Sequence, residues 1–398
     1  MAPTTRYALV AAAALAHTAA AAGVIEMPIT FRNSYAMVSV EVGTPGEEHF
    51  LRFDTGSAST WIVDKKCAQG ACNNYSGFPR VGYSLDASST GEQIGNSSSV
   101  DYLGGRIAGP SVRDTFRTGS GATWNQTFLN VNESSWAQIP GDGFLGLAFD
   151  TISDGATHTV PETLLREGAL AAPRFGLYAG TELNDTNGKP GDGVLTLGGS
   201  REDKYVDGEM TWLPAMKGGS PAEYELWRAP LLKFSGSHKR SDGKPVSQGR
   251  DWEGQYKASG VFDTGAGTIS VPNLDVYLMY QSIGWDFAAI LSHDHTPLCS
   301  EFNSSWSVTF SFAGDGPDKY RDIVMTGDQL ARPGFANRDD ACWPPFEPGN
   351  NDGFFLFGTP LLDQFYTVYD FGGSKPEEYQ PRIGFGQLKK EYKPKVLV

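Results

Sequence analysis

The chain has 398 residues, a net charge of −14 and a pI of about 4.9. Hydrophobic residues make up 40% of it and charged residues 20%, which is enough apolar material for a sizeable core and excludes general disorder. The acidic balance argues against nucleic acids and anionic membranes as partners, because both repel a negatively charged protein.

The first 22 residues have the pattern of a secretory signal peptide. Arg6 supplies a positive charge, residues 7–16 form a short apolar run, and three alanines precede Gly23. An Ala-rich helix is the alternative. No later stretch has the ~18 apolar residues that a membrane span needs. We therefore expect residues 1–22 to be removed, and the mature protein to be extracellular without a membrane span.

Period-two alternation of apolar and polar residues dominates the rest of the chain. Val38, Val40 and Val42 alternate with polar residues, and residues 306–312 repeat the pattern. Such runs predict strands with one buried face. Helical signals are few and short, with Pro near the start of each; the predicted helices are residues 160–168, 271–284 and 359–366. The polar stretch 235–256 is predicted to be an exposed hairpin or loop.

An internal repeat divides the chain into two similar halves. The pentapeptide Phe-Asp-Thr-Gly-Ser at residues 53–57 returns as Phe-Asp-Thr-Gly-Ala at 262–266. An apolar-apolar-Gly motif follows each copy, ending at Gly146, 92 residues after Asp54, and at Gly358, 95 residues after Asp263. We expect two lobes, residues 23–204 and 205–398, each presenting one Asp at the end of a strand.

Two Asp-Thr-Gly loops that meet face to face would bring Asp54 and Asp263 together. Two adjacent carboxylates share one proton, because both cannot ionise comfortably. The charged carboxylate can then draw a proton from a water, while the protonated one gives its proton to a carbonyl oxygen. This chemistry hydrolyses an amide without metal, cofactor or covalent intermediate. The supporting residues are Thr55, Gly56, Thr264 and Gly265, where Thr locks the turn and Gly permits close approach.

The sequence resembles the pepsin-like aspartic proteases over nearly the whole mature chain, and looks like their secreted fungal members. The resemblance rests on both Asp-Thr-Gly loops and on motifs at residues 142–148, 194–199, 355–358 and 365–370. It implies an all-β, bilobal fold in which two similar β lobes flank a substrate cleft. It also implies a monomeric endopeptidase that acts on proteins or peptides.

The family carries a flap hairpin over its cleft, with a Tyr that hydrogen-bonds a Trp of the first loop. By this resemblance Tyr102, within residues 101–109, is the flap tyrosine and Trp61 is its partner. The segment departs from the family at Leu103, where Gly is usual, and at Arg106, which replaces a small polar residue.

The two loops differ at their fifth residue. Ser57 can donate a hydrogen bond to Asp54, whereas Ala266 cannot donate one to Asp263, and such a bond lowers the pKa of a carboxyl. We therefore expect Asp54 to be mainly the charged base and Asp263 mainly the proton carrier, with a pH optimum less acidic than that of pepsin.

Four cysteines allow three disulfide pairings. The least tangled choice is Cys67 with Cys72 and Cys299 with Cys342, and these pairs also fall at positions implied by the resemblance. The second would close a loop of about 44 residues, which the chain-entropy treatment values at about 4 kcal/mol.

Sequons for N-glycosylation suggest glycosylated surface loops; they begin at Asn74, Asn96, Asn125, Asn132, Asn184 and Asn303. His293 and His295 lie one residue apart on a loop without further ligands, so we expect no metal site. Only 31 residues separate Gly23 from Asp54, which leaves no room for a basic propeptide.

Two other functions are compatible with parts of the sequence. A catalytically silent relative that binds or inhibits would keep the fold, and Leu103 and Ala266 leave that reading open. An actin-like ATPase also carries Asp-x-Gly loops in each half, but the signal peptide, sequons and scarcity of helices disfavour it.

Overall fold

A computed structural model describes residues 23–183, 188–219, 221–240, 242–252, 258–314, 320–349 and 354–395. The predicted signal peptide at residues 1–22 and the sequon residue Asn184 lie outside these ranges.

Strands dominate the first half of the chain and are joined by short connections. They are β1 (Ile25–Arg32), β2 (Tyr35–Val42), β3 (Glu47–Asp54), β4 (Trp61–Val63), β5 (Glu92–Tyr102), β6 (Gly105–Arg117), β7 (Thr123–Val131), β8 (Glu133–Ser134), β9 (Gly143–Gly146), β10 (Arg174–Tyr178) and β11 (Val194–Leu197).

The second half is built in the same way. Its strands are β12 (Thr211–Pro214), β13 (Arg228–Lys239), β14 (Pro245–Asp251), β15 (Ala258–Phe262), β16 (Ile269–Pro272), β17 (Trp306–Ala313), β18 (Tyr320–Thr326), β19 (Glu347–Gly349), β20 (Phe354–Phe357), β21 (Phe365–Asp370) and β22 (Arg382–Gln387). The α-helices of both halves are α1 (Lys65–Ala68), α2 (Val160–Arg166), α3 (Glu202–Tyr205), α4 (Val276–Ser282), α5 (Phe287–Leu291) and α6 (Thr359–Leu362).

The described strands form two sheets, which confirms the predicted all-β, bilobal fold. The larger has the order β12-β22-β21-β10-β11-β1-β2-β3-β9-β4-β7-β6-β5, and the smaller has the order β18-β17-β13-β15-β20-β16-β19. One end of the larger sheet takes strands from both halves of the chain, because β10 pairs with β21 in the register Gly176↔Val368. Backbone hydrogen bonds therefore join the two halves.

The internal repeat has a direct structural counterpart. In the first half β3 pairs in parallel with β9, so that Asp54 lies opposite Gly146. In the second half β15 pairs in parallel with β20, so that Phe262 lies opposite Phe357. Each Asp-Thr-Gly loop thus leaves the middle of a sheet, next to the apolar-apolar-Gly motif that follows it in sequence.

Apolar side chains of β3 and β15 lie in a core that extends through both lobes, including Leu51, Phe53 and Phe262. A separate cluster lies beneath the β5–β6 hairpin, and we call it the flap cluster. Its buried members include Met37, Trp61 and Phe144, and Tyr102 and Trp136 pack against it.

Helix α2 confirms the prediction for residues 160–168. The Thr159 side chain accepts a hydrogen bond from the Glu162 N–H, Pro161 lies in the first turn, and Gly168 follows the helix with φ = +64°. The polar stretch after residue 235 is also as predicted, since β13 and β14 form a hairpin.

The other two predicted helices were too long, and each loses residues to a sheet. Val271 and Pro272 end β16, which pairs with β19 and β20, so α4 begins only at Val276. Helix α6 ends at Leu362, because Phe365 begins β21, which pairs with β22. In both cases strand pairing between distant segments overrides the local helical pattern.

Candidate active site

Strands β3 and β15 place Asp54 and Asp263 at equivalent positions. Asp54 is the last residue of β3, and its carbonyl accepts a hydrogen bond from the Leu147 N–H at 2.9 Å. Asp263 directly follows β15, and its N–H donates to the Phe357 carbonyl at 3.0 Å. The backbone of each Asp is therefore anchored to the neighbouring parallel strand.

Reciprocal hydrogen bonds between Thr55 and Thr264 hold the two loops against each other. The backbone N–H of each threonine donates to the other's Oγ1, at 3.0 Å in both directions. Thr55 Oγ1 donates to the Phe262 carbonyl at 2.8 Å, and Thr264 Oγ1 donates to the Phe53 carbonyl at 3.0 Å. Both threonines are buried, so these four bonds fix the relative position of the two aspartates.

Gly56 and Gly265 are required by the closeness of the carboxyls. A Cβ on Gly56 would lie 2.3 Å from Asp263 Cγ, and a Cβ on Gly265 would lie 2.4 Å from Asp54 Oδ1. Any larger residue at either position would collide with the aspartate of the opposite loop.

The two carboxyls have different hydrogen-bond environments. Asp54 accepts bonds from the Gly56 N–H and the Ser57 hydroxyl, both at 2.8 Å. Asp263 accepts one from the Gly265 N–H at 2.6 Å. The Ala266 side chain has no donor that could match Ser57.

The pKa of Asp263 is raised well above its ordinary value. The largest cause is desolvation, because protein atoms surround the carboxyl although the residue keeps an opening to the cleft. The charge of Asp54 and a direct hydrogen bond between the two carboxyls act in the same direction, while Arg52 and the Gly265 N–H oppose them. The arrangement favours one proton shared by the pair, held mainly on Asp263.

A charged carboxylate and a protonated carboxyl in contact form an acid–base pair that could act on a water and a peptide carbonyl. The sequence profile of the eukaryotic aspartyl protease family matches residues 34–379, which is most of the chain. The chain belongs to the eukaryotic aspartyl protease family. This confirms the predicted family and the predicted enzyme class, an aspartic-type peptidase, and it excludes the actin-like ATPase.

Relatives of this aspartyl protease come from fungi and vertebrates. A vacuolar aspartic protease of Candida albicans is 28% identical over 355 residues, covering 87% of this chain and 76% of that protein. Gastricsin of Mus musculus is 28% identical over 365 residues, covering 88% and 82%. Cathepsin E-B of Xenopus laevis is 25% identical over 346 residues, covering 84% and 77%. The fungal character stays a prediction, since the relatives include both groups.

The segment predicted to be the flap forms the end of the β5–β6 hairpin. Tyr102 pairs with Gly105 across the turn, which leaves Leu103 at the tip, 87% exposed. A Cβ on Gly104 would lie 2.5 Å from Trp136 Cη2, so the tip packs closely on that ring.

Tyr102 reaches from the flap into the flap cluster. Its ring centroid lies 5.5 Å from that of Phe144, and Phe144 lies 4.9 Å from Trp61. The Tyr102 hydroxyl lies near the Trp61 indole and the Ser57 hydroxyl. In the described part of the chain, however, neither Tyr102 Oη nor Trp61 Nε1 has a hydrogen-bond partner of good geometry. The Tyr102–Trp61 bond stays a prediction.

The cysteines pair in the structure as Cys67–Cys72 and Cys299–Cys342. The described sequon residues differ in accessibility. Asn74 is half-buried, and its Nδ2, the atom that a glycan would need, donates to the Ile139 carbonyl. The side chains that are exposed are those of Asn96, Asn125, Asn132 and Asn303.

Other polar features lie apart from the two aspartates. A groove of about 600 Å³ on the first lobe is lined by Arg113 and Arg166, but Arg113 pairs with Glu92 and Arg166 with Asp150. Among the described residues, no three His, Cys, Asp or Glu side chains are grouped so that they could hold a metal ion. No described helix is both long and apolar enough to cross a membrane.

Arg52, which was not predicted as a site residue, lies on β3 two residues before Asp54 and interacts electrostatically with Asp263. The signal was present, because Arg52 is a charged residue between the apolar Leu51 and Phe53 in the buried second half of β3. Residues two apart on a strand face the same side, so Arg52 shares the face of Asp54.

Proposed function

We propose that this aspartyl protease is a secreted, monomeric endopeptidase in which Asp54 and Asp263 activate a water for attack on a peptide bond. The observation that carries the proposal is the reciprocal bonding of Thr55 and Thr264, which sets the two carboxyls side by side. The matched family supplies the reaction class.

The environments of the two aspartates suggest separate roles. Asp54, with the Ser57 and Gly56 donors, is the charged form and takes a proton from the water. Asp263, whose raised pKa keeps its proton, gives that proton to the carbonyl oxygen of the scissile bond. Proton transfers of this kind contribute about a hundred-fold to ten-thousand-fold each to the rate.

An extended peptide is the substrate that fits this arrangement. The flap residues Tyr102 and Leu103 would cover it from the first lobe. The lobes are proposed to divide at residue 204, since β1, β10 and β11 enter the shared sheet from one side of that boundary and β12, β21 and β22 from the other.

Hydrolysis of a denatured protein from pH 3 to pH 7 tests the proposed reaction. We expect cleavage by the wild type, and a loss of at least about a hundred-fold in Asp54→Asn and in Asp263→Asn. Asp114→Asn is the matched control, because Asp114 is a buried carboxylate that bonds Tyr83 and Thr90, away from the cleft. A folded wild type that cleaves nothing at any pH would instead favour the silent binding module.

Secretion rests on the pattern of residues 1–22, the two disulfides and the exposed sequons. Fractionation of the source cells tests it: the protein, beginning near Gly23, is expected in the medium. Recovery from an internal acidic compartment would contradict secretion and leave the reaction unaffected.

A further inference from the structure

Arg52 lies on the cleft side of β3, within the flap cluster. Its strand neighbours Leu51 and Phe53 face the opposite side and belong to the main core. Across the sheet Arg52 lies opposite Met37 on β2 and Phe144 on β9, both members of the flap cluster. Its side chain therefore points to the layer beneath the flap.

Aromatic rings surround the Arg52 guanidinium. Its central carbon lies 4.7 Å from the centroid of the Tyr35 ring and 6.0 Å from that of Phe144. Phe144 in turn contacts the flap residue Tyr102. Rings at these distances stabilise a cation through their faces but provide no counter-charge.

The guanidinium is nine-tenths buried and forms no ion pair with a described residue, although it interacts electrostatically with Asp263 at longer range. Arg52 is 8% exposed, and among the described residues its side chain forms neither an ion pair nor a hydrogen bond. A buried charge without an ion-pair partner is energetically costly. Its nitrogens nevertheless keep some exposure to solvent, unlike Trp61 Nε1 and Tyr102 Oη, which are fully enclosed and unpaired. Arg52 shares a strand face with Asp54 and interacts electrostatically with Asp263.

We propose that Arg52 is a specificity-determining residue that binds a carboxylate of the substrate close to the scissile bond. Arg52 and Asp54 are two residues apart on a strand, which separates their backbones by about 7 Å. Arg52 can therefore reach a substrate group within one or two residues of the scissile bond. A guanidinium fork matches a carboxylate in two parallel hydrogen bonds. This inference rests on the proposed endopeptidase function and deepens it, predicting a preference for Asp or Glu in the substrate.

The preference has a defined pH dependence. An acidic substrate side chain ionises near pH 4, so that it is charged at pH 5.5 and mostly neutral at pH 3. The titratable groups around Arg52 are Tyr35, Tyr102 and the two aspartates. Recognition should therefore be strong at pH 5.5 and weak at pH 3.

Pairs of peptides with amidated C-termini test the proposal. The two members of a pair differ only in carrying Glu or Gln at one position. Separate pairs place that difference at each of the three positions on either side of the cleaved bond. In the wild type we expect one position at which kcat/KM is about ten-fold to a hundred-fold higher for Glu at pH 5.5, the range of a charge-assisted hydrogen bond. The ratio should approach one at pH 3. A ratio near one at every position and both pH values would overturn the proposal.

Variants assign the effect to Arg52. Arg52→Met should abolish the Glu preference, and Arg52→Lys should retain part of it. Arg32→Met is the matched control and should retain all of it, because Arg32 also stacks on a ring, Phe50, at 3.6 Å, and donates to the Pro140 carbonyl. A preference that persists in Arg52→Met would overturn the assignment, and the wild-type ratios decide the matter if that variant does not fold.

Further measurements show which substrate carboxylate is bound, and they distinguish failure of this proposal from failure of the proposed endopeptidase function. A Gln peptide that ends at the preferred position, with a free or an amidated C-terminus, distinguishes a terminal carboxylate from a side-chain one. Preference for the free C-terminus identifies a terminal carboxylate as the bound group, whereas equal cleavage of the two Gln forms, with the Glu preference retained, identifies a side-chain carboxylate. Equal cleavage of Glu and Gln peptides overturns the role of Arg52 while leaving the endopeptidase intact. Cleavage of none overturns both.

Discussion

At the scale of single residues, the difference between Ser57 and Ala266 makes two similar loops chemically unequal. Ser57 donates to Asp54 at 2.8 Å, and Ala266 leaves Asp263 without an equivalent donor. A donor stabilises the ionised carboxyl, so its absence helps to keep the proton on Asp263. This inequality follows from the sequence alone, because the loops differ only at that position.

Ala266→Ser should move the basic limb of the pH–activity profile toward acid by about one pH unit, because a new donor lowers the pKa of the proton carrier. Ser57→Ala should move the acidic limb toward higher pH, since the ionised Asp54 carboxylate would lose a hydrogen-bond donor that stabilises it. The pH dependence of kcat/KM checks both shifts. Unmoved limbs in the two variants would contradict the assignment of base and acid.

Arg52 could not be assigned a role from the sequence. The strand pattern places Arg52 on the same face as Asp54. The aromatic rings around Arg52, however, belong to Tyr35 and Phe144, which are far apart in the chain. Only the fold shows that this buried cation forms no direct ion pair with any of the described residues.

At the scale of elements, the two loops act as one unit, because Thr55 and Thr264 exchange hydrogen bonds across 209 positions of sequence. The repeat predicted this meeting. The sequence did not predict where α4 begins, because strand pairing of Val271 and Pro272 with distant segments decides that boundary.

Thr264→Val should destabilise the protein by about 2–4 kcal/mol, since it leaves the buried Thr55 N–H and Phe53 carbonyl without partners. Thr196→Val is the matched control. Thr196 is equally buried, but its hydroxyl has no partner in the described part of the chain, so this change should be nearly neutral. Denaturant unfolding measures both, and equal losses would contradict the bracing role of Thr264.

At the scale of the whole molecule, buried carboxyls make the folded protein more stable in mild acid than at neutral pH. Glu162 on α2 is 4% exposed, accepts a hydrogen bond from the Asp150 N–H at 3.0 Å, and lies near the Tyr379 side chain of the second half. Burial raises the pKa of Glu162 to about 7, from 4.5 in the unfolded chain. This contact joins residues 217 positions apart, which no local pattern in the sequence predicts.

The sign of the pH effect follows from that difference. Between about pH 4.5 and pH 7 the folded protein holds a proton on Glu162 that the unfolded chain releases. The stabilisation of the folded protein by this proton is complete below pH 4.5. As the pH rises to 7, the free energy of unfolding loses at most about 3 kcal/mol from this source. Glu162→Gln should remove this part of the fall in unfolding free energy between pH 4.5 and pH 7. Glu182→Gln, a change at an exposed residue, should not remove it. Unfolding free energies at pH 4.5 and 7 test it, and identical declines in all three proteins would contradict it.

The central claim is that Asp54 and Asp263 hydrolyse peptides as a single unit. The most direct test is kcat/KM on one peptide for Asp54→Asn, Asp263→Asn and the double variant. Residues that act as a unit are strongly non-additive. We predict that each single change loses nearly as much activity as the double change. Losses that multiply, or a single variant that keeps its activity, would contradict the shared dyad.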